Sequence, residues 1–75
     1  MYTYVRIVFN SEGIDPKDII PLMREVGFDP GLGEHDFKFD WGKRHATLDD
    51  VADLTQKLHK RLRGSNVQYE ITTVR

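Results

Sequence analysis

Acidic and histidine side chains in the middle of the chain have the chemistry to hold a divalent metal ion. Imidazole nitrogens and carboxylate oxygens are suitable ligands for such an ion. Their spacing matches no metal template: there is no HExxH, no histidine pair on one helix face and no Asp-rich calcium loop. We therefore interpret this stretch as polar loop and expect no metal ion and no other cofactor. The residues are Asp29, Glu34, His35, Asp36, Asp40 and His45.

No other side chains form a catalytic pattern. Gly31-Leu32-Gly33 lacks both the further glycine and the Lys-Ser/Thr of a phosphate-binding loop, and turn geometry explains its glycines. His59 lies between Leu58 and Lys60, which indicates a filler on a helix flank. No serine or lysine has an activating neighbour in sequence. We expect that the chain is not an enzyme.

Tyrosines and cations near the N-terminus suggest a binding surface. Tyr2, Tyr4 and Arg6 alternate along a predicted strand and would share one face of a sheet. Aromatic rings and cations on an open sheet are typical of single-stranded nucleic-acid binding. Asp40 and Glu70 are expected on the same face, where they would repel phosphate. Cross-strand pairing, which also involves Lys38 and Thr72, is the simpler interpretation.

A cluster of cations in the second half of the chain is the other candidate surface. Lys43 and Arg44 lie in a turn, and Lys57, Lys60 and Arg61 lie on the helix that follows. Such a cluster could contact phosphates or an acidic protein surface. The two groups are over ~15 Å apart along a helix that rises 1.5 Å per residue. They form one patch only if the fold brings Lys43 or Arg44 back towards the helix.

Length and composition predict one small folded domain, residues 1–75. The chain has 39% hydrophobic and 31% charged residues and no cysteine, which suits a reducing compartment. No apolar run approaches the roughly 20 residues of a membrane span, and the N-terminus lacks signal-peptide features. We expect a cytoplasmic protein. Residues 1–42 have four cations against eight acids, and residues 43–75 have seven against four, so the net charges are −4 and +3.

Three segments alternate apolar and polar residues in the manner of strands. They are residues 2–9, 37–41 and 67–74. A very short edge strand around residues 28–32 would be blunted by Pro30. Residues 67–74 contain no proline or glycine and only one internal charge, Glu70.

Two helices separate these strands. The first has two candidate starts, and we prefer Asp18 as the N-cap of a helix over residues 19–26, since Pro21 inside a longer helix costs about 3 kcal/mol. Asp15 followed by Pro16 is the alternative start. Gly27 ends this helix. Thr47 caps the second helix, Gly64 ends it, and its apolar stripe is Leu48, Val51, Leu54, Leu58 and Leu62.

The resulting order, β-α-(β)-β-α-β, predicts an α+β fold. With both helices on one sheet face it is a two-layer sandwich of the split β-α-β (ferredoxin-like) kind with a stunted second strand. A three-stranded β-α-β-α-β form is the alternative. The predicted core is Val5, Ile7, Phe9, Leu22, Val26, Phe37, Phe39, Leu54, Leu58, Leu62, Tyr69 and Ile71.

The sequence does not single out an activity. The leading hypothesis is a small interaction or regulatory module that binds a protein partner, including a second copy of itself through residues 67–74. A monomer with a solvated edge is an equal alternative to that dimer. The second hypothesis is a nucleic-acid-associated accessory protein that uses the basic helix or the tyrosine-bearing face. The candidate binding residues are Tyr2, Tyr4, Arg6, Lys43, Arg44, Lys57, Lys60 and Arg61.

Overall fold

The computed structural model describes residues 1–31 and 36–74 and confirms the predicted α+β class. One open antiparallel sheet of four strands packs with two helices, and the strand order is β2-β3-β1-β4. The elements are β1 (Tyr2–Val8), α1 (Pro16–Val26), β2 (Asp29–Pro30), β3 (Phe37–Asp40), α2 (Leu48–Leu62) and β4 (Gln68–Val74).

Strand β1 organises the sheet because it pairs along both of its edges. Val5 lies opposite Phe37 of β3 on one side and opposite Ile71 of β4 on the other. Side chains alternate between the two faces of a strand, so the odd-numbered residues of β1, β3 and β4 share one face. The even-numbered residues share the other.

The hydrophobic core combines odd-numbered residues of the sheet with residues of both helices. Val5, Ile7 and Phe37 supply the sheet side, and both helices and Phe28 supply the rest. Tyr69, Ile71, Phe39 and Val26 are only half-buried against its rim, although the sequence predicts them as core. The helix and loop members of the core are Ile19, Met23, Phe28, Leu54, Leu58 and Leu62.

Three residues depart further from the predicted apolar pattern. Phe9 is 39% exposed because β1 ends at Val8, opposite Gln68, and no described residue pairs with Phe9. Leu48 is 85% exposed because it is the first residue of α2, more than a turn before the buried Leu54. Leu22 is half-buried, and its neighbour Met23 takes the core position.

Helix α1 begins earlier than the preferred prediction of residues 19–26. Asp15 occupies the N-cap and Pro16 the first turn, which leaves Pro21 inside the helix. A proline there removes one main-chain donor. The extra turn gains a hydrogen bond of 2.9 Å from Asp18 N–H to the Asp15 carbonyl. Pro16 in the first turn favours this start, because its ring fixes a helical φ and it has no N–H to leave unpaired.

The C-terminus of α1 and the N-terminus of α2 follow the prediction, but α2 ends at Leu62 with Arg63 as its C-cap, one residue before the predicted Gly64. Gly64 has its left-handed φ of 86° in the turn that the Ser65 N–H closes by donating to the Leu62 carbonyl at 3.1 Å. Gly27 is left-handed at φ 107°, and the next N–H, of Phe28, donates to the Met23 carbonyl at 3.0 Å. Thr47 caps α2, its hydroxyl accepting from Asp50 N–H while the Asp50 carboxylate accepts from Thr47 N–H. In the described part of the chain, no helix is long and apolar enough to cross a membrane.

Candidate functional site

The even-numbered residues of β1, β3 and β4 form a sheet face that neither helix covers, here called the open face. All of its residues are exposed except Tyr4, which is half-buried. The fold therefore brings together Tyr2, Tyr4 and Arg6, as the alternation predicts. The open face consists of Tyr2, Tyr4, Arg6, Val8, Lys38, Asp40, Gln68, Glu70, Thr72 and Val74.

The two tyrosines of the open face contact each other. Their ring centroids are 5.9 Å apart and the rings are inclined by 29°, a stacked arrangement. Lys38 Nζ lies 5.7 Å from the Tyr2 ring centroid, within the range of a cation–π interaction. Lys38 is also the cross-strand neighbour of Tyr4. The rings and the nearby cation thus already stabilise the sheet.

The charges of the open face balance. Its cations, Arg6 and Lys38, share the face with the acids Asp40 and Glu70. Arg6 lies directly opposite Glu70, and Asp40 lies directly opposite Tyr2. An attractive field for a phosphate backbone requires a surplus of cations, which these residues do not supply.

The predicted basic cluster is partly assembled by the fold. Arg44 returns towards α2, and it lines a surface depression of about 280 Å³ together with Lys57 and Trp41. The Arg44 guanidinium lies 5.9 Å from the Trp41 ring centroid and 2.8 Å from Asp50 Oδ1. The depression is also lined by acids, Asp50 and Asp53, so it has no strong positive charge.

Arg61 of α2 forms an ion pair with Glu25 of α1. Its Nε–H donates to the Glu25 carboxylate, and this hydrogen bond lowers the pKa of Glu25 and raises the pKa of Arg61. Lys57 and Lys60 line a groove of about 440 Å³ beside this pair. The pair ties α1 to α2 and removes Arg61 as a free cation.

Strand β4 lies at one end of the strand order, so no described strand pairs with its outer side. Trp41 N–H donates to the Met1 carbonyl, and Asp36 N–H donates to the Val5 carbonyl. Odd-numbered residues of β1 therefore direct their main-chain groups to the β3 side, and even-numbered residues direct theirs to β4. Ile7 N–H fits this alternation, since it donates to Asp36 Oδ2 at 2.7 Å.

The register between β1 and β4 determines which residues of β4 bond to β1. Tyr4 pairs with Thr72 and Arg6 pairs with Glu70, so the even-numbered residues of β4 bond to β1. The N–H and C=O groups of Tyr69, Ile71 and Thr73 consequently point away from the sheet. We call these three residues the free edge.

Side-chain hydrogen bonds hold the free edge in place. Thr3, which is fully buried, shares a hydrogen bond of 2.8 Å with the Thr73 hydroxyl. Trp41 Nε1–H donates to the same Thr3 oxygen at 2.8 Å, so the chain of hydroxyls reaches from β4 across β1 to the end of β3. At the other end of the strand, the Tyr69 hydroxyl lies 3.3 Å from His59 Nδ1.

Sequence reasoning did not find this hydroxyl chain. Its signal was present, since Thr3 and Thr73 are polar residues at odd-numbered positions, where the alternation predicts side chains facing the core. Buried polar groups of this kind need partners. The sequence could not show that the partners of Thr3 are Thr73 and Trp41.

The opposite edge of the sheet offers far less surface. Strand β2 has two residues, and one of them is Pro30. A proline and a short strand both discourage pairing with another chain.

Residues 32–35, including Leu32 and Gly33 of the predicted turn, lie outside the described part of the chain, as does Arg75.

The structure provides no support for a metal site. Among residues 1–31 and 36–74, no three histidine, aspartate or glutamate side chains come together as ligands. Glu34 and His35 of the sequence hypothesis lie outside the described residues.

Comparison with known proteins gives no relative. No protein family, curated protein or solved structure matches this chain at a significant level.

Proposed function

We propose that this protein is an interaction module that docks a partner strand onto the free edge of β4. The observation that carries the proposal is the direction of the main-chain groups of Tyr69, Ile71 and Thr73, which point away from the sheet along a seven-residue strand. Neither proline nor glycine interrupts this strand. Addition of a strand to such an edge is a common mode of protein recognition.

A second copy of the chain is the partner that fits most simply. The same strand of another copy brings the same pattern of donors and acceptors, and an antiparallel two-fold contact is self-complementary. Tyr69 and Ile71 are half-buried at the rim of the core and would be covered further by a neighbouring strand. Pairing would thus satisfy main-chain groups and bury apolar surface together.

Sedimentation equilibrium of Thr73→Pro tests the proposal. A proline at position 73 removes an N–H that points to the free edge and leaves the β1–β4 hydrogen bonds in place. We expect the wild-type mass to rise from 8.8 kDa towards twice that value at tens of micromolar. Thr73→Pro should weaken this association at least several-fold, because each lost main-chain bond is worth about 0.5–1.5 kcal/mol and the symmetry doubles the loss.

Two further variants serve as controls. Thr73→Val removes the hydroxyl that bonds Thr3 but keeps the N–H. It therefore measures what the loss of this hydroxyl does to folding, separately from what the loss of the outward N–H does to association. Thr72→Pro should instead destabilise the monomer, because the main-chain groups of Thr72 face Tyr4 of β1. A wild-type chain that remains at 8.8 kDa at every concentration would contradict self-pairing.

Nucleic-acid binding through the open face is the second proposal. The support for it is the stacked pair Tyr2 and Tyr4 beside Lys38. A salt titration with single-stranded RNA tests it, since phosphate contacts give a steep decrease of affinity with salt. Tyr2→Ala and Tyr4→Ala should each weaken binding if bases stack on the rings. The balanced charges of the open face make strand pairing the better supported function.

We also propose that the fold is the split β-α-β two-layer sandwich and that the protein is cytoplasmic. The order β2-β3-β1-β4 supports the fold, because it puts β3 between β1 and β2 and puts β1 between β3 and β4. The absence of cysteine from the sequence supports a reducing compartment. An experimental structure with both helices on the odd-numbered face would test the first, and fluorescent-fusion imaging the second.

A further inference from the structure

The free edge restricts how two copies can pair, and this inference rests on the function proposed above. In an antiparallel pair, residues that exchange hydrogen bonds lie directly opposite each other. The outward residues of β4 are Tyr69, Ile71 and Thr73, so a two-fold contact must place odd-numbered residues opposite odd-numbered residues. The two-fold axis then passes at Glu70, Ile71 or Thr72. An axis closer to either end of β4 would let fewer residues of the two strands pair.

The length of the strand favours an axis at Ile71. Centred there, the whole of Gln68–Val74 overlaps its copy, and Tyr69, Ile71 and Thr73 all find outward partners. An axis at Glu70 overlaps only residues 68–72, and an axis at Thr72 overlaps only residues 70–74. Each shorter register leaves an outward residue of the strand without a strand partner.

The charge of Glu70 provides a second, independent restriction on the position of the two-fold axis. An axis at Glu70 would place the two Glu70 carboxylates directly opposite each other on the open face, in the close non-hydrogen-bonded type of pair. Like charges in that position are destabilising. An axis at Ile71 instead places each Glu70 opposite Thr72 of the other copy, which has no charge.

We propose that two copies pair β4 with β4 in the register centred on Ile71, and that Glu70 is the residue that determines this register. Arg6 lies opposite Glu70 on the inner side of the strand. Thr72 of the partner copy then occupies the outer side. Glu70 and Thr72 are therefore the side chains through which one copy recognises the other.

Charge substitution at Thr72 tests the register. The Thr72 side chain is exposed, so both Thr72→Lys and Thr72→Glu should fold, which circular dichroism checks. With the axis at Ile71, Thr72→Lys creates two symmetric Lys–Glu70 contacts and should tighten the dimer roughly 2- to 30-fold. Thr72→Glu creates two acid–acid contacts and should weaken it by a similar factor. In the double variant Glu70→Gln/Thr72→Lys, the gain from lysine should disappear.

The outcomes separate the register from the function. If the wild-type chain dimerises but both Thr72 variants weaken it, the axis lies at Thr72, and the proposed register is wrong. If neither variant changes the dissociation constant, Glu70 does not face Thr72, and the register is again wrong while strand pairing stands. A wild-type chain that stays monomeric in sedimentation equilibrium overturns the register and self-pairing together.

Discussion

At the scale of single residues, stability depends on a few fully buried side chains of the core. Leu58 has no exposed surface, whereas Leu48 on the same helix is 85% exposed. Both are leucines at apolar positions of the sequence pattern. The difference between them is that Leu58 belongs to the core cluster, whereas Leu48 is the first residue of α2 and lies outside it.

Truncation of these two leucines should therefore lower stability by very different amounts. We expect Leu58→Ala to lower the free energy of unfolding by about 2–5 kcal/mol, because it leaves a cavity in a fully packed site. Leu48→Ala should change it by less than about 0.5 kcal/mol. Urea denaturation followed by circular dichroism measures both, and equal effects would contradict the observed burial of α2.

Gly27 is a second residue on which the core depends. Its φ is 107°, and a Cβ atom added there would lie 2.8 Å from Cε2 of the Phe39 ring. Gly64 has a comparable φ of 86°, but nothing lies within 4 Å of its added Cβ. Substitution of Gly64 therefore tests the cost of a left-handed backbone alone, whereas substitution of Gly27 also tests the steric cost of a clash with Phe39.

Alanine at Gly27 should be more damaging than alanine at Gly64. Gly64→Ala has only the left-handed backbone penalty of about 1–2 kcal/mol. Gly27→Ala adds a displacement of Phe39, which also contacts the Phe28 and Trp41 rings at centroid distances of 5.7 and 4.7 Å. Thermal melts of the two variants compare them, and equal melting temperatures would mean that Phe39 moves without cost.

At the scale of elements, the N-terminus of α2 is the best-defined local structure. The Asp50 carboxylate accepts from Thr47 N–H at 2.9 Å and from Arg44 at 2.8 Å. These interactions, the main-chain hydrogen bond first, lower the pKa of Asp50 below its ordinary value of 3.8. A group with a lowered pKa stabilises the fold above its unfolded-state pKa, and the contribution is lost as the pH falls through its folded-state pKa.

The stability of the protein should therefore fall on acidification below about pH 4, in part through Asp50. We expect Asp50→Asn to melt lower than wild type near neutral pH and to lose less on acidification. Asp49→Asn is the matched control in the same first turn. Melting temperatures between about pH 3 and pH 7 measure this. Parallel curves for Asp50→Asn and wild type would show that the capping carboxylate is not a source of the pH dependence.

At the scale of the whole molecule, the two edges of the sheet are unequal. The β2 edge has two residues and a proline, whereas β4 presents seven residues and the outward groups of Tyr69, Ile71 and Thr73. Hydrogen exchange distinguishes these outward amides from the inward amides of Glu70 and Thr72, which bond to β1 in every state.

Exchange rates along β4 should respond to protein concentration. At low concentration, the amides of Tyr69, Ile71 and Thr73 should exchange much faster than those of Glu70 and Thr72. At high concentration, strand pairing should slow the outward amides and remove the alternation. The measurement is NMR-detected exchange on a dilution series. An alternation that persists unchanged at high concentration, with fast outward amides, would contradict pairing through β4.

Local chemistry in the sequence determined the class of fold and several element ends. The alternation of residues 2–9, 37–41 and 67–74 predicts strands that the structure has one residue shorter, at 2–8, 37–40 and 68–74. It predicts them because period-two side chains need no distant information. Thr47 with Asp50 and Gly27 predict helix ends for the same reason, since caps act within one turn. The grouping of Tyr2, Tyr4 and Arg6 on the open face was predictable on this basis too.

Tertiary structure decided the features that depend on distant pairing. Helix α1 starts at Pro16 although Pro21 then lies inside the helix, so the local rules offered two starts and only the folded chain shows which one is used. Phe9 is exposed because β4 stops pairing at Gln68. The main-chain groups of Tyr69, Ile71 and Thr73 point away from the sheet only if the odd-numbered residues of β1 bond to β3 and not to β4. That choice is made by hydrogen bonds between residues about forty apart, such as Met1 and Trp41, and only the folded chain brings them together.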